Sequence, residues 1–160
     1  MAYRPDDEPD EFRFLDPGEL TDGELRLVLQ ERFPGDPSRN YVPEYRFRMV
    51  HVGTGAEVGT IKLRVGNAEH VLKFAGHISY EVYREHRGHR YAAKATAILL
   101  PLAKRHGLDP VWIACNAENR ASCETAKILR AELVEIIPVP PGMDIYDEGE
   151  RHTCRYRIRP

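Results

Sequence analysis

The stretch GHISYEVYREHRGHRYAAKATAILLPL, Gly76–Leu102, decides how this chain folds. Gly76 to Tyr83 alternates apolar and polar residues, the period of a half-buried strand. Further on, Tyr91, Ala95, Ile98, Leu99 and Leu102 recur at helical spacing. Between the two patterns stand Arg84, Arg87 and Arg90 with His86 and His89. The first turn of a helix has unpaired backbone N–H groups and a partial positive charge. Arginines added there make a site for a phosphate or pyrophosphate. The segment therefore predicts strand, anion-binding corner, helix.

That helix is expected to run from about Arg90 to Gly107, a natural C-cap preceded by Lys104, Arg105 and His106 at the negative end. Pro101 interrupts it, removing a bond at about 3 kcal/mol, so a kink or an early break after Leu100 is expected. Outward on the N-terminal side, Tyr45–Val52 and Ala56–Val65 alternate and flank Gly53-Thr54-Gly55, the pattern of a hairpin. From Glu24, Leu25, Leu27 and Leu29 alternate with Arg26, Val28 and Gln30, a strand that helix propensity alone would also allow. Pro34-Gly35-Asp36-Pro37-Ser38 breaks it, and a turn at Gly66-Asn67 leads back to Gly76. Residues 1–20 are expected to form an acidic, partly disordered tail, partly docked through Phe12, Phe14 and Leu15, before one domain over residues 21–160.

Outward on the other side, Val111–Cys115 is a short apolar run that suits a buried strand. Asn119 can cap a second helix in which Ala121, Thr125, Ile128 and Leu129 share a face. Glu132–Val139 and Thr153–Arg159 complete the strands, joined by the Pro140–Glu150 loop. The expected fold class is α/β (α+β), a mixed, mostly antiparallel twisted sheet with flanking helices.

Bulk properties narrow the function. The chain has 160 residues, 42% hydrophobic and 30% charged, with a net charge of −2. That charge gives no global attraction to nucleic acid or an anionic membrane. No apolar run reaches a membrane span and the N-terminus is acidic rather than signal-like, so a cytoplasmic location is the expectation. Cys115, Cys123 and Cys154 form no CxxC pair and read as reduced thiols. Seven histidines invite a metal, but no carboxylate or cysteine stands at ligand spacing beside His86 and His89, so none is expected.

Two stretches resemble the GNAT (Gcn5-related) N-acetyltransferase family. VYREHRGHRYAAKA, Val82–Ala95, resembles its pyrophosphate-binding turn, Q/R-x-x-G-x-G/A, with Arg87 first and Ala92 last. IACNAENRASCETAKILRAELVE, Ile113–Glu135, resembles the strand and N-x-A-S helix of the branch that includes ribosomal-protein N-terminal acetyltransferases. The resemblance implies acetyl-CoA as co-substrate and direct transfer of its acetyl group to a primary amine in a ternary complex. It implies cofactor contacts from Val82, Tyr83, Arg87, Gly88, His89, Arg90, Tyr91, Ala92, Asn119 and Ser122. The chain also departs from the family. Arg90 replaces the central glycine of the turn, and Arg130 the glycine that ends the second helix. Ala126 stands where many members have a thiolate-protonating tyrosine, and Ala114 where some have a basic carboxylate. The two helices usual between the first strands shrink to the Pro34–Pro43 loop.

Acyl transfer needs a neutral amine, a donor to the oxyanion and a proton for the departing thiolate. Glu81, beside the implied thioester position, is the candidate base, with His77 behind it; a plain strand carboxylate is the competing reading. Ser122 is the candidate proton relay, and Tyr80, Tyr83 and Tyr146 are unranked phenols. The acceptor is open between a small polyamine, an aminoglycoside-like amine and a protein N-terminus. Asp144, Asp147, Glu148 and Glu150 either draw a cationic amine or form a solvated loop. An inactive CoA-binding sensor or accessory module is the alternative function. A nucleotide binder using the arginine cluster comes third, and exposed strand edges would suit a homodimer.

Overall fold

The computed structural model describes residues 12–160. The expected tail falls partly outside them: residues 1–11 are not described, while 12–19 run without regular structure along the core. Phe14 packs edge-on against Tyr45, with ring centroids 4.9 Å apart, and the Leu15 N–H donates to the Tyr45 hydroxyl at 2.7 Å. The first strand, β1, is Leu20–Thr21.

Five strands follow one another in space as in sequence. After β1 come β2 (Leu25–Phe33), β3 (Glu44–His51), β4 (Glu57–Arg64) and β5 (Ile78–Val82), all antiparallel in the order β1-β2-β3-β4-β5. The alternation that predicts these strands also sorts their faces. Leu25, Leu27, Tyr45, Phe47, Met49, Ile61 and Leu63 are buried on one face. Glu44, Arg46, Arg48, Lys62 and Arg64 stand on the other, which carries no helix. Between β4 and β5, Val71–Ala75 forms a wide helical turn that the sequence reading passes over as loop.

Helix α1 (Tyr91–Arg105) covers the apolar face. Its buried Ala95, Leu99 and Leu102 follow the predicted stripe, and full burial of one such leucine stabilises by about 1.5–3 kcal/mol. The expected break at Pro101 does not occur; the helix continues to Arg105. Pro101 and Ala97, whose carbonyl loses its partner, are both exposed. Water can satisfy that carbonyl, so the proline is tolerated on this face.

The chain then enters β6 (Val111–Asn116), α2 (Arg120–Ile128), β7 (Glu132–Pro138), the short α3 (Asp144–Asp147) and β8 (His152–Ile158). The last three strands form a second antiparallel sheet, in the order β6-β8-β7. The α2 side chain of Asn119 accepts from the Ser122 N–H at 3.1 Å, the cap the sequence predicts. Its buried residues are Thr125 and Ala126, whereas Ala121 and Ile128, which share the predicted face with Thr125, are exposed. α2 borders an open cleft, and those two apolar groups line it instead. β7 is an edge strand with Leu133, Val134 and Ile136 exposed.

Candidate active site

The two sheets meet at one joint. The His77 N–H donates to the Trp112 carbonyl at 2.8 Å, and the Trp112 N–H donates to His77 Nδ1 at 2.9 Å. Beyond that joint β5 and β6 belong to different sheets, and a cleft opens between them. Gly76 lets the strands close there. It has φ +74, and a Cβ on it would lie 2.9 Å from the Ala114 nitrogen and 3.0 Å from the Trp112 oxygen.

His77 is 1% exposed and tied at both ring nitrogens. Because Nδ1 accepts a backbone N–H, the proton sits on Nε2, which donates to Asn67 Oδ1 at 2.9 Å. Burial lowers its pKa to about 4, and the Arg64 charge works in the same direction. His77 is therefore a structural clamp and not the base that the sequence reading entertains.

Past the joint, β5 has a free edge. The Tyr83 N–H donates to the Val58 carbonyl at 2.9 Å, and the His77 carbonyl accepts from the Arg64 N–H at 2.7 Å. Bonding alternates along an antiparallel ladder, so the odd-numbered residues of β5 face β4. Tyr80 and Val82 turn their backbone groups towards the cleft. The Val82 carbonyl accepts from Arg87 Nε at 3.2 Å, leaving its N–H for a ligand.

The free edge leads into the arginine turn. Gly88 has φ +91 and Arg90 sits in the left-handed region at φ 61, ψ 26. Such reversals turn successive N–H groups into one concavity suited to an anion. No side chain caps α1, so the amides of its first turn remain open to a ligand. Arg90 thus holds, at some strain, the conformation that glycine adopts freely. Arg130 does the same at the exit of α2, with φ 56.

A cavity of about 490 Å³ spans these parts. Of the predicted residues, Glu81, Val82, Arg87, Gly88, Arg90, Tyr91 and Ala92 line it from one side, and Asn119 and Ser122 line it from α2. Two predicted contacts lie elsewhere. The Tyr83 hydroxyl donates to Glu57 Oε2 at 2.6 Å, which holds it outside the cavity lining. The His89 ring stacks on Tyr91, with centroids 5.2 Å apart, outside the cavity lining. The acidic residues of the Pro140–Glu150 loop do not line it either.

Of the three candidate phenols, Tyr80 is the one that lines the cavity. It lines the cavity on the opposite face of β5 from Glu81, beside the hydroxyls of Ser122 and Thr125. Burial pushes its pKa up, while those two hydroxyls pull the other way, so the phenol stays protonated at neutral pH. Strand parity alone could have ranked it above Tyr83, had the position of α2 been known. Behind it, Cys115 and Cys123 approach to 3.8 Å, with Cys154 paired across from Cys115. Burial raises the Cys115 thiol far above its ordinary range, which makes it a poor nucleophile. Among the described residues no group of three or more His, Cys, Asp or Glu is placed to hold a metal. No helix among them is long and apolar enough to cross a membrane.

The cleft is thus a split between sheets with an uncapped, arginine-flanked helix at its mouth. The acetyltransferase (GNAT) domain family matches residues 2–131. The chain belongs to the GNAT family. No curated protein sequence matches this GNAT chain significantly. Several solved structures share the fold. An acetyltransferase (GNAT family) from Bacillus anthracis superposes with TM-score 0.56 at 19% identity, over 71% of this chain and 65% of that one. The ribosomal-protein-S5-alanine acetyltransferase from Vibrio fischeri gives TM-score 0.57 at 14% identity, over 72% of this chain and 61% of its own. The microcin C7 self-immunity acetyltransferase, solved with acetyl-CoA and AMP, gives 0.54 at 14% identity, covering 73% and 61%. The GNAT chain thus spans under two thirds of the length of each of these structures.

Arg90→Gly relieves the left-handed strain, offset in part by greater freedom of the unfolded chain. A net gain of about 0.5–1 kcal/mol is expected, a rise in melting temperature of about 1–4 °C. If the guanidinium also meets a phosphate, titration of the same variant with CoA should show affinity falling about tenfold.

Proposed function

We propose that this protein transfers the acetyl group of acetyl-CoA directly to a primary amine. The observation that carries the reading is the free edge of β5 running into the uncapped start of α1 between Arg87 and Arg90. The amides from Gly88 to Ala92, with the two guanidinium groups, suit the pyrophosphate. The Val82 and Tyr80 N–H groups suit the pantetheine arm and the thioester carbonyl, where they would stabilise the developing oxyanion. Asn119, its oxygen engaged in capping, retains its amide NH₂ for the ligand.

Glu81 and Tyr80 divide the proton transfers. They stand on opposite faces of one strand, both at the cavity. Glu81 takes the proton from the attacking amine as the new C–N bond forms. The Tyr80 phenol gives its proton to the departing sulfur as the C–S bond breaks, and Ser122 beside it holds the hydroxyl in place. Tyr80 answers the absence of a tyrosine at Ala126, which lies on the buried face of α2 and carries no proton to give.

Thermal melts with acetyl-CoA, free CoA and ATP test the ligand. At about 100 times the dissociation constant, either CoA species should stabilise by about 2.7 kcal/mol, a rise of about 5–10 °C, and ATP should not. No rise with acetyl-CoA would sink the proposal. Glu81→Gln should slow turnover of an accepted amine by about 10²-fold or more and leave CoA affinity unchanged. Full activity in that variant would remove Glu81 from the chemistry.

A further inference from the structure

We propose that the acceptor amine carries an anionic group, a carboxylate or phosphate, held in a second cavity while the nitrogen faces Glu81. This rests on the acetyl-transfer reading above and names its substrate class. The second cavity, of about 530 Å³, opens on the face of the five-stranded sheet that no helix covers. Its floor is polar, with Glu44, Arg46, Lys62 and Arg64 as neighbours across β3 and β4.

Charge is not balanced there. Glu44 is the carboxylate shared by two of the cations, Arg46 at 2.6 Å and Arg64 at 3.4 Å. Asp36, on the rim, is engaged by Ser38 and by Arg39 outside the cavity. Lys62 is half-buried and makes no ion pair or side-chain hydrogen bond among the described residues. The Arg46 guanidinium carbon lies over the Phe33 ring, 4.0 Å from its centroid. A cation left without a partner on a concave floor, beside an oriented guanidinium, favours an anion.

The floor leads to the proposed reaction centre. Lys62 pairs across with Ser79 and Thr60 pairs with Glu81, so all four stand on one face. Two residues along a strand span about 7 Å. Along the strand direction, Lys62 therefore lies about 7 Å and Arg64 about 14 Å from an acceptor nitrogen placed at Glu81. An extended peptide N-terminus with acidic residues third and fifth, whose side chains share one face, fits that spacing, as does an aminoalkyl phosphate.

The test compares an alanine-led peptide with Glu at its third and fifth positions against the same peptide with Lys there, and adds an aminoalkyl phosphate of matched length. Each is assayed for turnover with acetyl-CoA and, separately, for binding by calorimetry in the presence of free CoA. The acidic peptide should be preferred about tenfold or more in kcat/KM, and bind correspondingly tighter. Lys62→Glu should invert the order, and the neutral Lys62→Gln should flatten it, both with CoA affinity unchanged. The phosphate arm tells which anion is favoured. Turnover with no preference, or a preference that survives both substitutions, overturns the anionic acceptor and leaves acetyl transfer standing. If no amine turns over, charge-dependent binding lost in both variants still supports the site, whereas equal or absent binding overturns it.

Discussion

Replacing His77 by alanine is expected to destabilise the protein by about 2–4 kcal/mol, lowering its melting temperature by about 5–15 °C. The side chain is fully buried at the joint between the sheets. Its removal leaves the Trp112 N–H without a partner and opens a cavity where β5 and β6 meet. His77→Asn, whose side-chain oxygen can accept the same N–H, should recover part of the loss. Cofactor affinity should follow, because the clamp sets where the cleft opens. Thermal melts of the three proteins, paired with CoA titration, read both effects; an alanine variant as stable as the parent would refute the clamp.

The same residue makes stability fall with acid. Its pKa in the fold is about 4, against an ordinary 6.5, so the unfolded chain binds the proton more readily. The contribution is fully present above pH 6.5 and is lost as pH falls towards 4, by about 3 kcal/mol in all. His106, its pKa lowered by burial and then by Arg105, adds loss of the same sign. Denaturant melts between pH 7.5 and 4.5 should therefore show a steeper decline in the parent than in His77→Asn. Parallel declines would contradict the assignment.

Tyr80→Phe is expected to lower kcat by about 10²–10⁴-fold, the range for one positioned proton donor, with CoA affinity nearly unchanged. Two alternatives are unable to replace it: Ala126 carries no proton and is buried, and the Tyr83 hydroxyl is held by Glu57. The raised pKa of Tyr80 predicts that activity falls on the alkaline side only well above neutrality, and that this limb disappears in the phenylalanine variant. Ser122→Ala, which removes a neighbour of the phenol rather than the donor, should cost less. A Tyr80→Phe enzyme with unaltered kcat would return Tyr80 to the packing of the cleft.

Much of the fold was legible because it is written in local periodicity. Alternation in Tyr45–Val52 and Ala56–Val65 forces a hairpin with one apolar face, and the structure keeps that pairing, Phe47 opposite Ile61. The stripe of Ala95, Leu99 and Leu102 fixes which side of α1 is buried. Asn119 ahead of an apolar helix is a cap by chemistry, wherever the helix later packs. The basic turn was legible for the same reason: arginines before a helix start make an anion site from backbone amides alone.

Other features depend on what comes from far along the chain. Nothing near His77 tells that its ring will meet Trp112, thirty-five residues on, and turn a candidate base into a clamp. Pro101 reads as a break until the fold leaves Ala97 and Pro101 facing solvent. Arg90 reads as a departure from glycine until the turn places it at φ 61. Tyr80 and Tyr83 are alike as letters in a strand, and only their tertiary neighbours separate them, Ser122 and Thr125 of α2 for one and Glu57 for the other. The sequence by itself determined the elements, the side of each that seeks the core, and the charge of the corner before α1, because these follow from spacing and residue chemistry. Tertiary structure alone decided the split between the sheets, the phenol that faces it and the bare basic floor, because each arises where segments distant in sequence meet or fail to meet.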